Sequence, residues 1–101
     1  MKEDEKAAAE PQRIQVELPE KESEGIYSNF VLITHSASEF VVDFARLLPG
    51  SPKAKVFSRI VMTPMHARSL LETLERNIKM FEDKNGKIKV SGLPENKEIG
   101  F

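Results

Sequence analysis

The sequence predicts an α+β domain: a four-stranded antiparallel meander followed by one C-terminal helix packed on one sheet face. Three observations predict it. In the strand-like runs between residues 14 and 62, one apolar set shares even numbering: Ile14, Val16, Leu18, Ile26, Phe30, Leu32, Phe40, Val42, Phe44, Val56, Ile60 and Met62. Side chains at i and i+2 share a face of a pleated strand, so constant parity marks one continuous apolar side. The connections between these runs are short, which forces neighbouring strands to run antiparallel. After residue 62 the apolar period changes from two to alternating fours and threes, the mark of an amphipathic helix.

Each element has its own local justification. Residues 1–11 are charged and Ala-rich and end at Pro11, and read as a disordered acidic leader. The domain itself spans 12–86. Residues 12–18 alternate as a half-buried first strand, and Pro19 to Gly25 is a polar connection. Residues 26–35 form the second strand, Ser36-Ala37-Ser38 a short turn, and residues 39–47 the third strand. Pro49-Gly50-Ser51-Pro52 is the strongest turn signal in the chain, and residues 54–62 form the fourth strand. Thr63 is a natural N-cap, with Pro64 at the first helical position, where its missing N–H costs nothing. Ala67, Leu71, Leu74, Ile78 and Phe81 make one stripe, while Glu72/Arg76 and Glu75/Lys79 are i,i+4 pairs on the wet side. Asn85-Gly86 stops the helix. Residues 87–101 are a tail in which Ile88, Val90 and Leu93 either add a short strand or pack loosely.

Symmetric turns set the expected registers. Phe30 should face Phe44 and Leu32 face Val42, Phe44 should face Ser58 and Val42 face Ile60, and Ile14 should face Phe30. All the pairs are even with even, so the apolar set stays on one face and the helix stripe covers it.

The odd-numbered face is mixed. It carries Tyr27, Asn29, Val31, Ile33 and His35, then Val41, Asp43 and Ala45, then Lys55, Phe57, Arg59 and Val61. One helix cannot cover both faces, and a core of this size is marginal alone. A homo-oligomer is therefore expected, a dimer being favoured, joined through this second face or an edge strand. Asp43 should lie opposite Arg59 as a cross-strand ion pair, with Asn29 close enough to join. Such a cluster either fixes the register or anchors a ligand.

The chain has 101 residues, 40% hydrophobic and 31% charged, with a net charge of -1 and no cysteine. Disulfides, thiolate metal sites and a thiol nucleophile are thereby excluded. His35 and His66 are the only imidazoles and have no metal-ligand spacing, so no metal site is expected. No G-x-S-x-G elbow and no Gly-rich phosphate loop is present. The expectation is a non-enzyme with no cofactor and no catalytic residue. No run approaches the ~20 apolar residues of a membrane span, and the N-terminus lacks a secretory core, so a cytoplasmic location is expected.

Binding is the expectation that remains. Tyr27, Asn29, Asp43, Phe57 and Arg59 are the candidate residues, with Lys53 and Lys55 at the rim. Lys53, Lys55 and Arg59 surround Phe57, and Tyr27 adjoins them, a composition that suits single-stranded nucleic acid. Charge argues for restraint: residues 1–25 carry a net -4 and residues 26–86 only +2. The leading expectation is a non-enzymatic oligomeric binding or interaction module of unknown ligand. The alternatives are a single-stranded nucleic-acid-binding protein and a chaperone-like polypeptide-binding protein.

Three runs carry a family resemblance: Ile26-Tyr27-Ser28-Asn29-Phe30, Glu39-Phe40-Val41-Val42-Asp43-Phe44, and Ser58-Arg59-Ile60-Val61-Met62-Thr63-Pro64-Met65-His66-Ala67. Over residues 26–86 the chain resembles a prokaryotic family catalogued as a domain of unknown function (family 3467). The pattern there is Y-x-N, then E-F-x-x-D-F, then S-R-I-V-M-S-P-x-H-A-K. Thr63 stands here for the usual Ser and Arg68 for the usual Lys. The resemblance singles out Tyr27, Asn29, Asp43, Arg59, Pro64 and His66, and implies no activity. In outline the element order is also similar to single-strand-binding transcriptional coactivators and to export chaperones of the SecB type, an analogy of fold only.

Overall fold

Two chain reversals build the sheet. In the computed structural model, which describes residues 13–90, the elements are α1 (Glu20–Ser23), β1 (Phe30–His35), β2 (Phe40–Leu47), β3 (Ala54–Met62) and α2 (Pro64–Asn85). The sheet has three antiparallel strands in the order β1-β2-β3. β2 lies in the middle and holds the core: Val42 is 4% exposed, Ala45 0% and Asp43 8%.

The expected strand at 12–18 is absent. Residues 13–19 carry no regular structure, and Val16 is 88% exposed. Alternation fits a segment for a strand but does not give it an edge to pair with. Pro19 leads into the single turn of α1 and then to Gly25 at φ 75, so the connection is no tight reversal that would return the segment against β1. Gln12 and the leader 1–11 lie outside the described residues. In the tail, residues 88–90 form no strand, and Leu93 lies outside the described residues.

The register of β1 differs from expectation by one residue. Ser36 N–H donates to the Glu39 carbonyl at 2.9 Å and His35 pairs with Phe40, so Ala37-Ser38 is a two-residue loop. Ser36 Oγ tightens it by accepting from the N–H groups of Ser38 and Glu39. An even loop puts Phe30 opposite Ala45 and Leu32 opposite Asp43, while Val31 and Ile33 face Phe44 and Val42. A slip of one residue exchanges the faces of a strand. Phe30 and Leu32 therefore lie on the side away from Phe44 and Ile60, and the single apolar face is continued in β1 by odd-numbered residues.

Between β2 and β3 the expected register holds from Phe40 opposite Met62 to Phe44 opposite Ser58. It then shifts at a β-bulge: Ala45 faces Val56, Arg46 faces Lys55 and Leu47 faces Ala54, leaving Phe57 as the extra residue. Gly50, at φ 78, turns the chain between these strands, and Ser51 N–H bonds the Leu48 carbonyl.

Helix α2 starts and stops where the local signals place it. Thr63 accepts the His66 N–H, Pro64 occupies the first turn, and Gly86 at φ 90 ends the helix with its N–H on the Glu82 carbonyl. The 22 residues span about 33 Å. Ala67, Leu70, Leu71 and Leu74 stand over Ile33, Phe40 and Val42 across a cleft of about 530 Å³, so the first half of α2 does take the even-numbered face of β2. No residue of α2 is buried, however, and the close packing expected of it is not reached.

Candidate functional site

The Asp43–Arg59 pair follows from the register. The two residues are directly opposed, and a bidentate fork joins them: Arg59 Nε donates to Asp43 Oδ1 at 2.7 Å and Arg59 Nη2 to Oδ2 at 3.0 Å. The guanidinium bond holds the Asp43 carboxyl below its ordinary range against the opposing effect of desolvation, and the carboxylate raises Arg59 in turn. The pair sits on the sheet face away from Val42 and Phe44.

Asn29 does not join this pair. Its amide bonds both backbone groups of Leu47: Nδ2 donates to the carbonyl at 3.0 Å, and Leu47 N–H donates to Oδ1 at 2.8 Å. A side chain here does the work of one more strand residue. Asn29 N–H and Ser28 Oγ both donate to the Ala45 carbonyl, so the entrance of β1 is fixed to the end of β2.

Lys55, Phe57 and Arg59 do not share one face. The bulge sets Lys55 opposite Arg46, and Arg46 lies three residues from Asp43 along β2, hence on the other side of the sheet from Arg59. Arg46 instead places its guanidinium 4.2 Å from the centre of the Phe57 ring, with Lys55 Nζ 5.3 Å from it. Arg46 also donates weakly to the Tyr27 carbonyl at 3.4 Å, and Tyr27 is 68% exposed. Lys53 is exposed beyond this group. Sequence reasoning missed Arg46, because nothing in the residue pattern marks the bulge that brings Lys55 across from it.

The two imidazoles have local partners. His66 Nδ1 lies 2.8 Å from Thr63 Oγ1 at the helix cap, and His35 stacks on Phe40 with centroids 5.3 Å apart. Among the described residues no group of three or more His, Asp or Glu side chains is placed to hold a metal ion. No helix among them is long and apolar enough to cross a membrane.

The larger feature is the apolar face itself. At one end Ile33, Phe40 and Val42 line the cleft under α2. At the other, Phe44, Ser58 and Ile60 line a second cleft of about 370 Å³, with Lys21, Glu22 and Ile26 as its opposite wall. The last turns of α2 present Ile78 and Phe81 to solvent.

Fold and surface together define a small α+β, antiparallel-sheet protein with an open apolar face and a cationic rim. The chain belongs to the family described as protein of unknown function (DUF3467), whose model matches residues 1–90. No curated relative and no solved structure matches it. Of the positions the family resemblance singles out, Asn29, Asp43, Arg59, Pro64 and His66 are occupied in holding the fold, while Tyr27, 68% exposed, offers its carbonyl to Arg46.

Proposed function

We propose that this protein is a non-enzymatic, oligomeric interaction module that works in the cytoplasm by covering and presenting its apolar sheet face. One observation carries the reading: α2 has an apolar stripe and no buried residue, above a sheet face with a cleft at each end. Apolar surface of this extent marks a contact site. Absence of cysteine agrees with a reducing compartment. Sedimentation at micromolar concentration tests it, with a dimer or larger species expected. A monomeric mass across that range would overturn the oligomeric reading.

Arg46 and Lys55 on the Phe57 ring favour a second reading, single-stranded nucleic acid. Two like charges set directly across a strand pair repel, and a phosphate between them would relieve that. Fluorescent oligonucleotides titrated at two salt concentrations decide it. Salt-weakened binding that disappears in Arg46→Ala, Lys55→Ala supports the reading, and no binding at low salt removes it. Capture of an unfolded polypeptide in the same assay, with no oligonucleotide binding, would favour a chaperone-like role instead.

A further inference from the structure

Residues 14–18 read Ile-Gln-Val-Glu-Leu, an alternating run closed by Pro19, which has no N–H for a ladder. The run pairs with no strand of its own chain, and Ile14, Val16 and Leu18 are 77%, 88% and 67% exposed. β3 is complementary to it. β2 takes one edge of β3, and among the described residues no strand takes the other. The bulge at Phe57 interrupts that outer edge and leaves five regular residues, Ser58 to Met62, to match the five from Ile14 to Leu18. A row of unpaired N–H and C=O groups is a template for an added strand. We infer that residues 14–18 are that strand, given to the outer edge of β3 in a second copy of this chain and running antiparallel to it. One chain as it stands leaves both the strand and the edge unused, and two copies exchanging the segment about a two-fold axis satisfy both at once. The inference rests on the oligomeric reading above and names the segment that makes the contact.

Parity and charge select the register. Five residues laid antiparallel on five set Ile14 against the partner's Met62, Val16 against the partner's Ile60 and Leu18 against the partner's Ser58. Ile60 and Ser58 lie with Phe44 on the apolar face, so the added strand continues that face, on which Ile60 is 42% exposed. Glu17 then falls on the opposite face, directly across from the partner's Arg59. Arg59 gives Nε and Nη2 to Asp43, its side chain is 67% exposed, and Nη1 is left for a second carboxylate. A parallel strand would set Gln15 across from Arg59 in place of Glu17. A slip of one residue would turn Leu18 onto Arg59 and Glu17 onto Ile60. The antiparallel register is the one that joins apolar to apolar and acid to base.

Val16→Pro in the full chain tests this first. Proline removes a ladder donor at a residue with no regular structure in its own chain, so circular dichroism should show the variant folded like the parent. Its self-association, read by sedimentation, should weaken at least tenfold. Glu17→Lys sets two cations across the ladder and should weaken it about fivefold. The chain has no cysteine, so single-cysteine variants map the register. Under mild oxidation, an equal mixture of Gln15→Cys and Val61→Cys proteins should form the mixed disulfide at least tenfold faster than a mixture of Gln15→Cys and Val56→Cys. Val61 and Val56 share a face of β3 and are both exposed, so only the register distinguishes them. An unchanged dimer in Val16→Pro, or equal coupling at positions 61 and 56, would overturn the strand exchange and leave the oligomeric reading standing. A disulfide closed within one chain of the Gln15→Cys, Val61→Cys double variant would place the strand on its own sheet and overturn the exchange. A monomeric mass for the parent would overturn both.

Discussion

Strand β2 and helix α2 are satisfied in different ways. β2 is paired on both edges, supplies every buried side chain of the described region, and is tied at its end by Asn29. α2 has every local signal a helix needs, from the Thr63 cap and Pro64 to the stop at Gly86, and buries nothing. Local signals decide where a helix begins and ends, but tertiary packing supplies most of its stability. The difference teaches that β2 is stabilised within one chain, while α2 gains little packing from its own chain and, on the oligomeric reading proposed above, takes the rest from a partner. Stability measured through β2 should be insensitive to protein concentration within the monomer, and stability measured through α2 should rise with it.

The sharpest way to break this contrast is to make the same kind of truncation in both regions. Val42→Ala removes two carbons from a closed site and should cost about 2 kcal/mol at any protein concentration. Ile78→Ala removes more carbon from an open one and should change monomer unfolding by less than about 0.5 kcal/mol, while weakening self-association about tenfold. Urea unfolding across a hundredfold range of concentration measures both. Equal, concentration-independent losses would mean that α2 is packed within its own chain.

The parts legible in the sequence were those fixed by local chemistry or by a symmetric turn. The limits of α2 follow from cap, proline and glycine, and the pairing of Asp43 with Arg59 follows from the position of the Pro-Gly turn. Illegible were differences of one residue. A loop of two residues at Ala37-Ser38, in place of three, moved Phe30 and Leu32 to the other face. A bulge at Phe57 separated Lys55 from Arg59 and united it with Arg46. Neither leaves a mark in composition, because alternation survives any shift of register. The run from Ile14 to Leu18 alternates as well as any strand here but pairs with neither outer strand of the sheet. The candidate binding set consequently divides. Asn29, Asp43 and Arg59 hold the fold, and Tyr27, Lys53, Lys55 and Phe57 lie around Arg46 or beyond it.

Next in size is the tie between the two strands that frame the core. Asn29→Ala removes two bonds to Leu47 and leaves a part-buried N–H and carbonyl without those partners, which should cost about 1–2 kcal/mol. Asn29→Asp keeps the acceptor for Leu47 N–H but sets a carboxylate against the Leu47 carbonyl, so it should recover only part of the loss. On the helical side, Thr63→Ala removes the cap and should cost about 1 kcal/mol. That loss should appear as reduced helicity near residue 66 in amide exchange, with the sheet amides unchanged. Equal loss of protection in β2 would show that the two regions unfold as one.

The smallest effect concerns charge, because Arg59 is 67% exposed and water screens its side of the pair. The Arg59 fork lowers the Asp43 carboxyl below its ordinary value of 3.8, so between the folded and unfolded values the unfolded chain holds more protons. Stability must then rise with pH through that window. The contribution is fully present above the unfolded value and is lost as pH falls through the lower, folded one. Asp43→Asn removes the titrating group and should flatten this part of the profile, whereas Arg59→Gln should restore Asp43 toward its ordinary value and move the loss to higher pH. Urea midpoints at pH 6, 4 and 3 separate the three proteins. If Asp43→Asn retains the full acid dependence of the parent, the loss of stability belongs to other carboxylates, and the pair sets register without setting the response to acid.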